Sequence, residues 1–176
     1  MYPFLRMFKE MLRARRMQPL GIFDAHVSHH ICWPWDLDLW MELNNGRTLT
    51  LYDLGRLPLA RRTGIEPLLR QRRWGLTVAG STIRYRRRVT AFARLTMHTR
   101  CVGWDNRFVY MDQSLWLGED CASQVLIRSA LVGKTGIVPP QEMALALGLP
   151  TESPPLPAWV QAWIEAEATR PWPPTR

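Results

Sequence analysis

Four runs between residues 83 and 131 alternate in polarity with a period of two, and this pattern constrains the fold more than any other feature. Ile83 and Tyr85 alternate with Arg84 and Arg86. Leu95, Met97, Thr99 and Cys101 alternate with Arg94, Thr96, His98 and Arg100. Phe108, Tyr110 and Asp112 alternate with Val109, Met111 and Gln113, and Val125, Ile127, Ser129 and Leu131 alternate with Gln124, Leu126, Arg128 and Ala130. A two-residue repeat is that of a strand, whose side chains point to opposite faces in turn. Trp104-Asp105-Asn106 and Gly118-Glu119-Asp120 supply short hairpin turns. The expected unit is an antiparallel meander.

The segment before the meander changes period. Residues 22–33 read as a first strand on Ile22, Phe23, Val27 and Ile31, closed by Pro34. Residues 35–43 form a loop. Asn44 or Asn45 is a suitable N-cap, and helical spacing runs through Leu49, Tyr52, Asp53 and Arg56 to about Arg62. Leu51, Leu54 and Leu57 add apolar character around much of this helix, so it is expected to be wrapped by a sheet. Thr63-Gly64 stops it, and a short second helix is expected over residues 66–73. The class is α+β, one long helix against one antiparallel sheet. Val138-Pro139-Pro140 ends the meander, a short helix is expected over residues 141–147, and a last one over residues 158–169.

The chain has 176 residues, 47% of them hydrophobic, which suits one ordinary domain with a real core. Three parts are expected: a basic amphipathic helix in residues 1–20, the main domain in residues 21–149, and a proline-rich tail with a short helix in residues 150–176. The first helix interleaves Arg6, Lys9, Arg13, Arg15 and Arg16 with Phe4, Leu5, Phe8, Met11 and Leu12. It either packs on the body or makes weak contact with an anionic membrane. Its interleaved charge is unlike a signal peptide, and no run is long enough to span a bilayer, so a cytoplasmic location is expected. Cys32, Cys101 and Cys121 are odd in number and lack zinc-like spacing, which favours reduced thiols. The net charge of +8 suits an anionic partner. It leaves nucleic acid, membrane and phosphorylated small molecules open, but no nucleic-acid module is visible, so none is expected to bind.

The chemistry concentrates in Asp36-Leu37-Asp38-Leu39-Trp40-Met41-Glu42-Leu43-Asn44-Asn45. Two carboxylates precede a helix N-terminus, whose unsatisfied N–H groups and positive dipole end can polarise a carbonyl. A carboxylate beside that carbonyl can attack it or activate water. The plainer alternative is that Asp and Asn here simply cap the helix and form turns.

Asp36-x-Asp38 followed by Asn44-Asn45 resembles the D-x-D-x-x-G-H-V-N-N signature of hotdog-fold acyl-CoA thioesterases related to 4-hydroxybenzoyl-CoA thioesterase. The resemblance continues through Leu51-Tyr52-Asp53-Leu54-Gly55-Arg56, Ile83-Arg84-Tyr85-Arg86 and Arg100-Cys101-Val102-Gly103-Trp104-Asp105, and covers residues 23–149. It implies a hotdog fold, a curved antiparallel sheet around one central helix. It also implies a homodimer, or a larger tetramer, with sites between subunits. By this resemblance Asp38 is the catalytic nucleophile or general base for hydrolysis of an acyl-CoA or acyl-carrier thioester. Amides around Asn44, Asn45 and Gly46 would polarise the carbonyl, with no metal or other cofactor. Met41 stands where glycine is common, Glu42 where histidine is, and Thr48 where tyrosine is. Glu42 is thus a second candidate base, or the mark of a protein that binds acyl thioesters or lipids without cleaving them.

Arg84, Arg86 and Arg88 are expected on one strand face and Arg87 on the other. They are either phosphate contacts for the CoA nucleotide or a solvated face, with Arg61, Arg62, Arg70, Arg72 and Arg73 as alternative phosphate contacts. Trp40 and Met41, with Trp33 and Trp35, are candidates to line an apolar acyl pocket. His29, His30 and Cys32 lack further ligands at suitable spacing, so no metal site is expected.

Overall fold

The computed structural model describes residues 2–174. In chain order its elements are α1 (Phe4–Arg16), β1 (His26–Ile31), α2 (Asn45–Arg62), α3 (Ile65–Arg72), β2 (Gly75–Tyr85), β3 (Arg94–Trp104), β4 (Val109–Leu117), β5 (Asp120–Gly133), β6 (Gly136–Val138), α4 (Pro140–Ala146) and α5 (Ala158–Ala168). The strands form one antiparallel sheet in the order β1-β3-β4-β5-β2, with β6 beside β5. The curled sheet wraps α2, which is the hotdog arrangement.

Packing follows from the alternation. Leu95, Met97, Thr99 and Cys101 of β3 are all buried. Register places Met97 opposite Leu115, and Met111 opposite Ile127, on the face that meets Leu51, Tyr52 and Leu54 of α2. The closest approach is at Gly55, where an added Cβ would lie 2.3 Å from Thr99 Oγ1 and 2.6 Å from Met97 Sδ. Buried Gln113 resolves the polar groups there. Its Nε2 donates to the Tyr52 carbonyl at 2.8 Å and Thr99 Oγ1 at 3.0 Å, and its Oε1 accepts from Arg56 Nη1 at 3.1 Å. Pro58 lies inside α2, so the Leu54 carbonyl lacks its usual i+4 donor, yet the helix continues to Arg62.

Both faces of the middle strands are covered. Tyr110 and Leu126 turn outward and are buried under Val160, with Leu156, Trp163 and Ile164 packed around them. Gly103 sits at a β-bulge with φ 139°, and a Cβ there would lie 2.4 Å from Ser153 Oγ. The Arg128 guanidinium lies over the rings of Phe108 and Trp163 and 3.5 Å from Glu167. The proline-rich C-terminal stretch is therefore folded onto the sheet's outer face.

Three expectations change. The first strand starts at His26, because the Asp24 carboxylate accepts the Gly21 N–H at 2.8 Å and holds Ile22 and Phe23 in a turn. Its inward residues are His26, Ser28 and His30, while Val27 and Ile31 face out. Strand β2 begins at Gly75, well before Ile83. It is an edge strand exposed along most of its length, so burial imposes little alternation on it. The three-residue β6 carries too short a pattern to be recognised by period.

The inward imidazoles are held neutral. Arg62 Nη1 can only donate, so the His26 Nδ1 2.8 Å away accepts. Burial, and then the Arg62 cation, push His26 down to about 4. Burial, then Lys9 and Arg6, push His30 down to about 3, and its Nε2 lies 2.8 Å from Ser28 Oγ.

Gly55→Ala must displace the Thr99 and Met97 side chains or the helix itself and should lower stability by about 1–3 kcal/mol in urea denaturation. Acid sensitivity comes from the histidines: the unfolded chain takes up both protons below about pH 6.5, whereas the folded chain refuses them until near pH 4 and 3. Their contribution is complete above about pH 6.5 and is lost as pH falls. The melting temperature should therefore drop between about pH 6.5 and 4.5, and less steeply in His30→Gln.

Candidate active site

The acidic loop is a stitched structure. Leu37 and Leu43 form an isolated antiparallel bridge, the Asn44 N–H donates to the Asp36 carbonyl at 3.0 Å, and the Leu43 N–H to the Val89 carbonyl at 2.8 Å. Between the bridge residues the chain makes a tight turn. The Asp38 N–H donates to the Glu42 carbonyl at 2.8 Å, and Asp38 Oδ1 accepts the N–H groups of Trp40 at 2.9 Å and Glu42 at 3.4 Å. Met41 adopts φ 58° to close it.

The two aspartates have different tasks. Asp36 is only 1% exposed and is held between Arg6 Nη2 at 2.7 Å and Arg47 Nε at 3.2 Å, while also accepting the Trp33 N–H at 3.0 Å. It ties α1, the loop and the start of α2 together. Asp38 holds the turn through Oδ1.

At the α2 N-terminus the Asn44 side chain accepts the Arg47 N–H at 3.1 Å, a regular N-cap. Among the described residues the Asn45 and Gly46 N–H groups have no hydrogen-bond partner. They form the electropositive end of an 18-residue helix.

A cleft of about 230 Å³ opens beside this end, lined by Glu42, Asn45, Thr48, Arg86, Arg88 and Ser123 among others. Glu42 Oε2 accepts from Arg88 Nε at 2.7 Å, and Arg88 Nη2 donates to the Trp40 carbonyl at 3.1 Å. The Tyr52 hydroxyl lies 2.8 Å from Ser123 Oγ and 3.0 Å from the Ser123 carbonyl. Burial pushes the Tyr52 phenol far above its ordinary range, so it remains a neutral hydrogen-bonding group. Burial likewise pushes Cys32 and Cys101 up to about 11, which removes them as thiolate nucleophiles near neutral pH.

Glu42, Asn45, Arg86, Arg87 and Arg88 thus come together. Asp38 is not in the lining of this cleft. Asn44 turns to a neighbouring cleft with Asp36, Gly46 and Arg47. Trp40 and Met41 are 72% and 66% exposed and outside the lining, because the turn throws them outward. Trp33 and Trp35 stack on each other with centroids 5.2 Å apart. The arginine run departs from strict alternation. Strand β2 ends at Tyr85, and the N–H groups of Arg86 and Arg87 both donate to the Ala122 carbonyl, so Arg86, Arg87 and Arg88 share one cleft. Arg84 lies elsewhere, in a cleft with Trp159 and Trp163. Arg61 is 16 residues beyond Asn45, about 24 Å along α2, and is paired with Glu66.

Ser123 reaches the cleft unannounced by local pattern, since only the pairing of β5 with β2 and β4 brings it there, and Tyr52 of α2 meets it from the core side. Among the described residues, no group of three or more His, Cys, Asp or Glu is placed to share a metal ion.

Residues 32–164 match the family model described as Thioesterase-like superfamily. The Xenopus laevis protein named THEM6 is 30% identical over 166 residues, covering 92% of this chain and 78% of that protein. Escherichia coli YbaW, described as a probable thioesterase, superposes with a TM-score of 0.64 over 69% of this chain and 94% of that one, at 16% identity. The DHNA-CoA thioesterase of Staphylococcus aureus superposes with a TM-score of 0.61 over 82% and 91%, at 9% identity. At those identities the two structures speak for the fold.

The Asp36 tie yields a test of stability. Asp36→Ala leaves two arginines facing a buried space without their carboxylate and should cost roughly 3–5 kcal/mol, read as a lower urea midpoint.

Proposed function

Since this chain belongs to the thioesterase-like superfamily, we propose that it hydrolyses an acyl thioester of CoA or an acyl carrier at the cleft beside the α2 N-terminus. The observation that carries the reading is the meeting of a carboxylate and free helix amides: Glu42 and Asn45 line one cleft. The thioester carbonyl oxygen lodges against the Asn45 N–H group at the electropositive helix end, which stabilises the oxyanion as it forms. The Glu42 carboxylate, oriented by Arg88, takes a proton from water, and the resulting hydroxide adds to the carbonyl carbon. Collapse of the tetrahedral intermediate breaks the C–S bond, and the proton passes to the departing sulfur, giving a free acid and a thiol. Arg86 and Arg87 offer guanidinium forks to the phosphates of a CoA nucleotide.

Asp38 supports a second reading. Its Oδ1 is held by the turn, but its Oδ2 carries no hydrogen bond among the described residues. It could attack the carbonyl directly if the substrate approached the turn rather than the cleft. The exposed edge of β2 favours a homodimer. It pairs with β5 on one side only, and Leu76, Val78 and Tyr85 are exposed. A second copy joined along β2 would stand next to the cleft, since Tyr85, Arg86, Arg87 and Arg88 continue from that strand.

The decisive measurement is thiol release from a panel of short, long and aromatic acyl-CoAs. Glu42→Gln should lower kcat by about 10²-fold or more with the fold intact. A loss of that size in Asp38→Asn alone, with Glu42→Gln active, would move the role to Asp38. Tight acyl-CoA binding without turnover across the panel would leave a binding protein in place of a hydrolase.

A further inference from the structure

Helix α1 carries Arg6, Lys9, Arg13, Arg15 and Arg16 against the single acidic residue Glu10. Its buried stripe is Met7, Glu10 and Ala14, which recur at three- and four-residue spacing and face the body. Arg6 is fastened to Asp36, and Lys9 and Arg13 both reach Glu10 at 3.2 Å. That side of the helix is already packed.

The large apolar side chains lie on the other side. Phe4 is 72% exposed, Leu5 88% and Phe8 65%, and Leu12 is also exposed. Phe4, Phe8 and Leu12 follow one another at four-residue steps, with Leu5 beside them, so they form one outward stripe. Arg16 and Lys9, both exposed, flank it on one side, and exposed Arg15 lies in line with it at its C-terminal end. A contiguous apolar stripe of this size on a surface marks a contact site. Its occupant must accept aromatic and aliphatic side chains along the centre and offer negative charge along the rim. A bilayer interface with anionic headgroups meets both needs, and a helix with this division of faces lies in the interface plane.

We propose that the outward face of α1 docks the protein on anionic membranes, as a peripheral contact independent of the cleft. Among the described residues no helix is long and apolar enough to cross a bilayer, so the contact is reversible. It also depends on salt, because part of the attraction is between charges.

The test is sedimentation of the full chain with vesicles of phosphatidylcholine alone or mixed with about 30% phosphatidylglycerol. The protein should pellet with the mixed vesicles, weakly with phosphatidylcholine, and less as salt is raised. Leu5→Glu/Phe8→Glu should reduce partitioning at least about tenfold while leaving the melting temperature and thiol release unchanged, since both side chains face solvent. Arg15→Gln/Arg16→Gln should weaken binding to the mixed vesicles only, and decides the matter should the first variant melt early. Failure to pellet with mixed vesicles overturns the proposal, as does undiminished pelleting of the first variant. So does a result in which the stripe proves to be a contact between copies, with the first variant changing the sedimentation coefficient and the unaltered protein ignoring vesicles.

Discussion

The closeness of α2 to the sheet governs the rest of the molecule. Gly55 lets the helix backbone settle against Thr99 and Met97, and Gln113 satisfies the polar groups trapped where they meet. A helix held at that depth has a fixed N-terminus, and the position of that terminus decides where the cleft opens. Buried polar groups of this kind are costly unless fully paired, so the network specifies one register of helix against strand. Arg56 links the network to Asp53, whose carboxyl is pushed up by burial although the Arg56 cation opposes this.

A second constraint acts on the loop that precedes α2. Two aspartates spaced two apart would be equivalent in an extended peptide. Here the bridge between Leu37 and Leu43 separates them. Asp36 enters the interior, where two arginines and the Trp33 N–H make its burial tolerable, and it fixes α1 to the loop. Asp38 stays near the surface and shapes a turn that delivers Glu42 to the cleft and sends Trp40 and Met41 outward. The pairing of Glu42 with Arg88 then joins the loop to the chain leaving β2.

Much of the architecture was legible because its signals are local. The alternation of β3 has a period that burial on the α2 side enforces, while β4 and β5 are covered on both faces and read as strands by residue type and turn spacing, and the limits of α2 follow from an asparagine cap and a Thr-Gly stop. Strand β1 was legible as a strand but not in its orientation. Its inward histidines are tolerated because Arg62 reaches His26 from the end of α2 and Ser28 of the same strand meets His30. Alternation also misplaced the arginine run, because the double donation to Ala122 ends β2 and gathers three successive side chains in one place. Helix α1 shows the same limit, for its most apolar face is the one left in water.

The amino-acid order by itself determined the element types, the wrapped central helix and the acidic segment before an asparagine-capped helix, because each is set by spacing within a few residues. The tertiary structure alone decided which carboxylate reaches the cleft, which arginines accompany it, that Ser123 and Tyr52 stand behind them, and which face of α1 remains open. Those outcomes depend on contacts between segments far apart in the chain, where burial, charge pairing and strand register compete, and no local period records the winner.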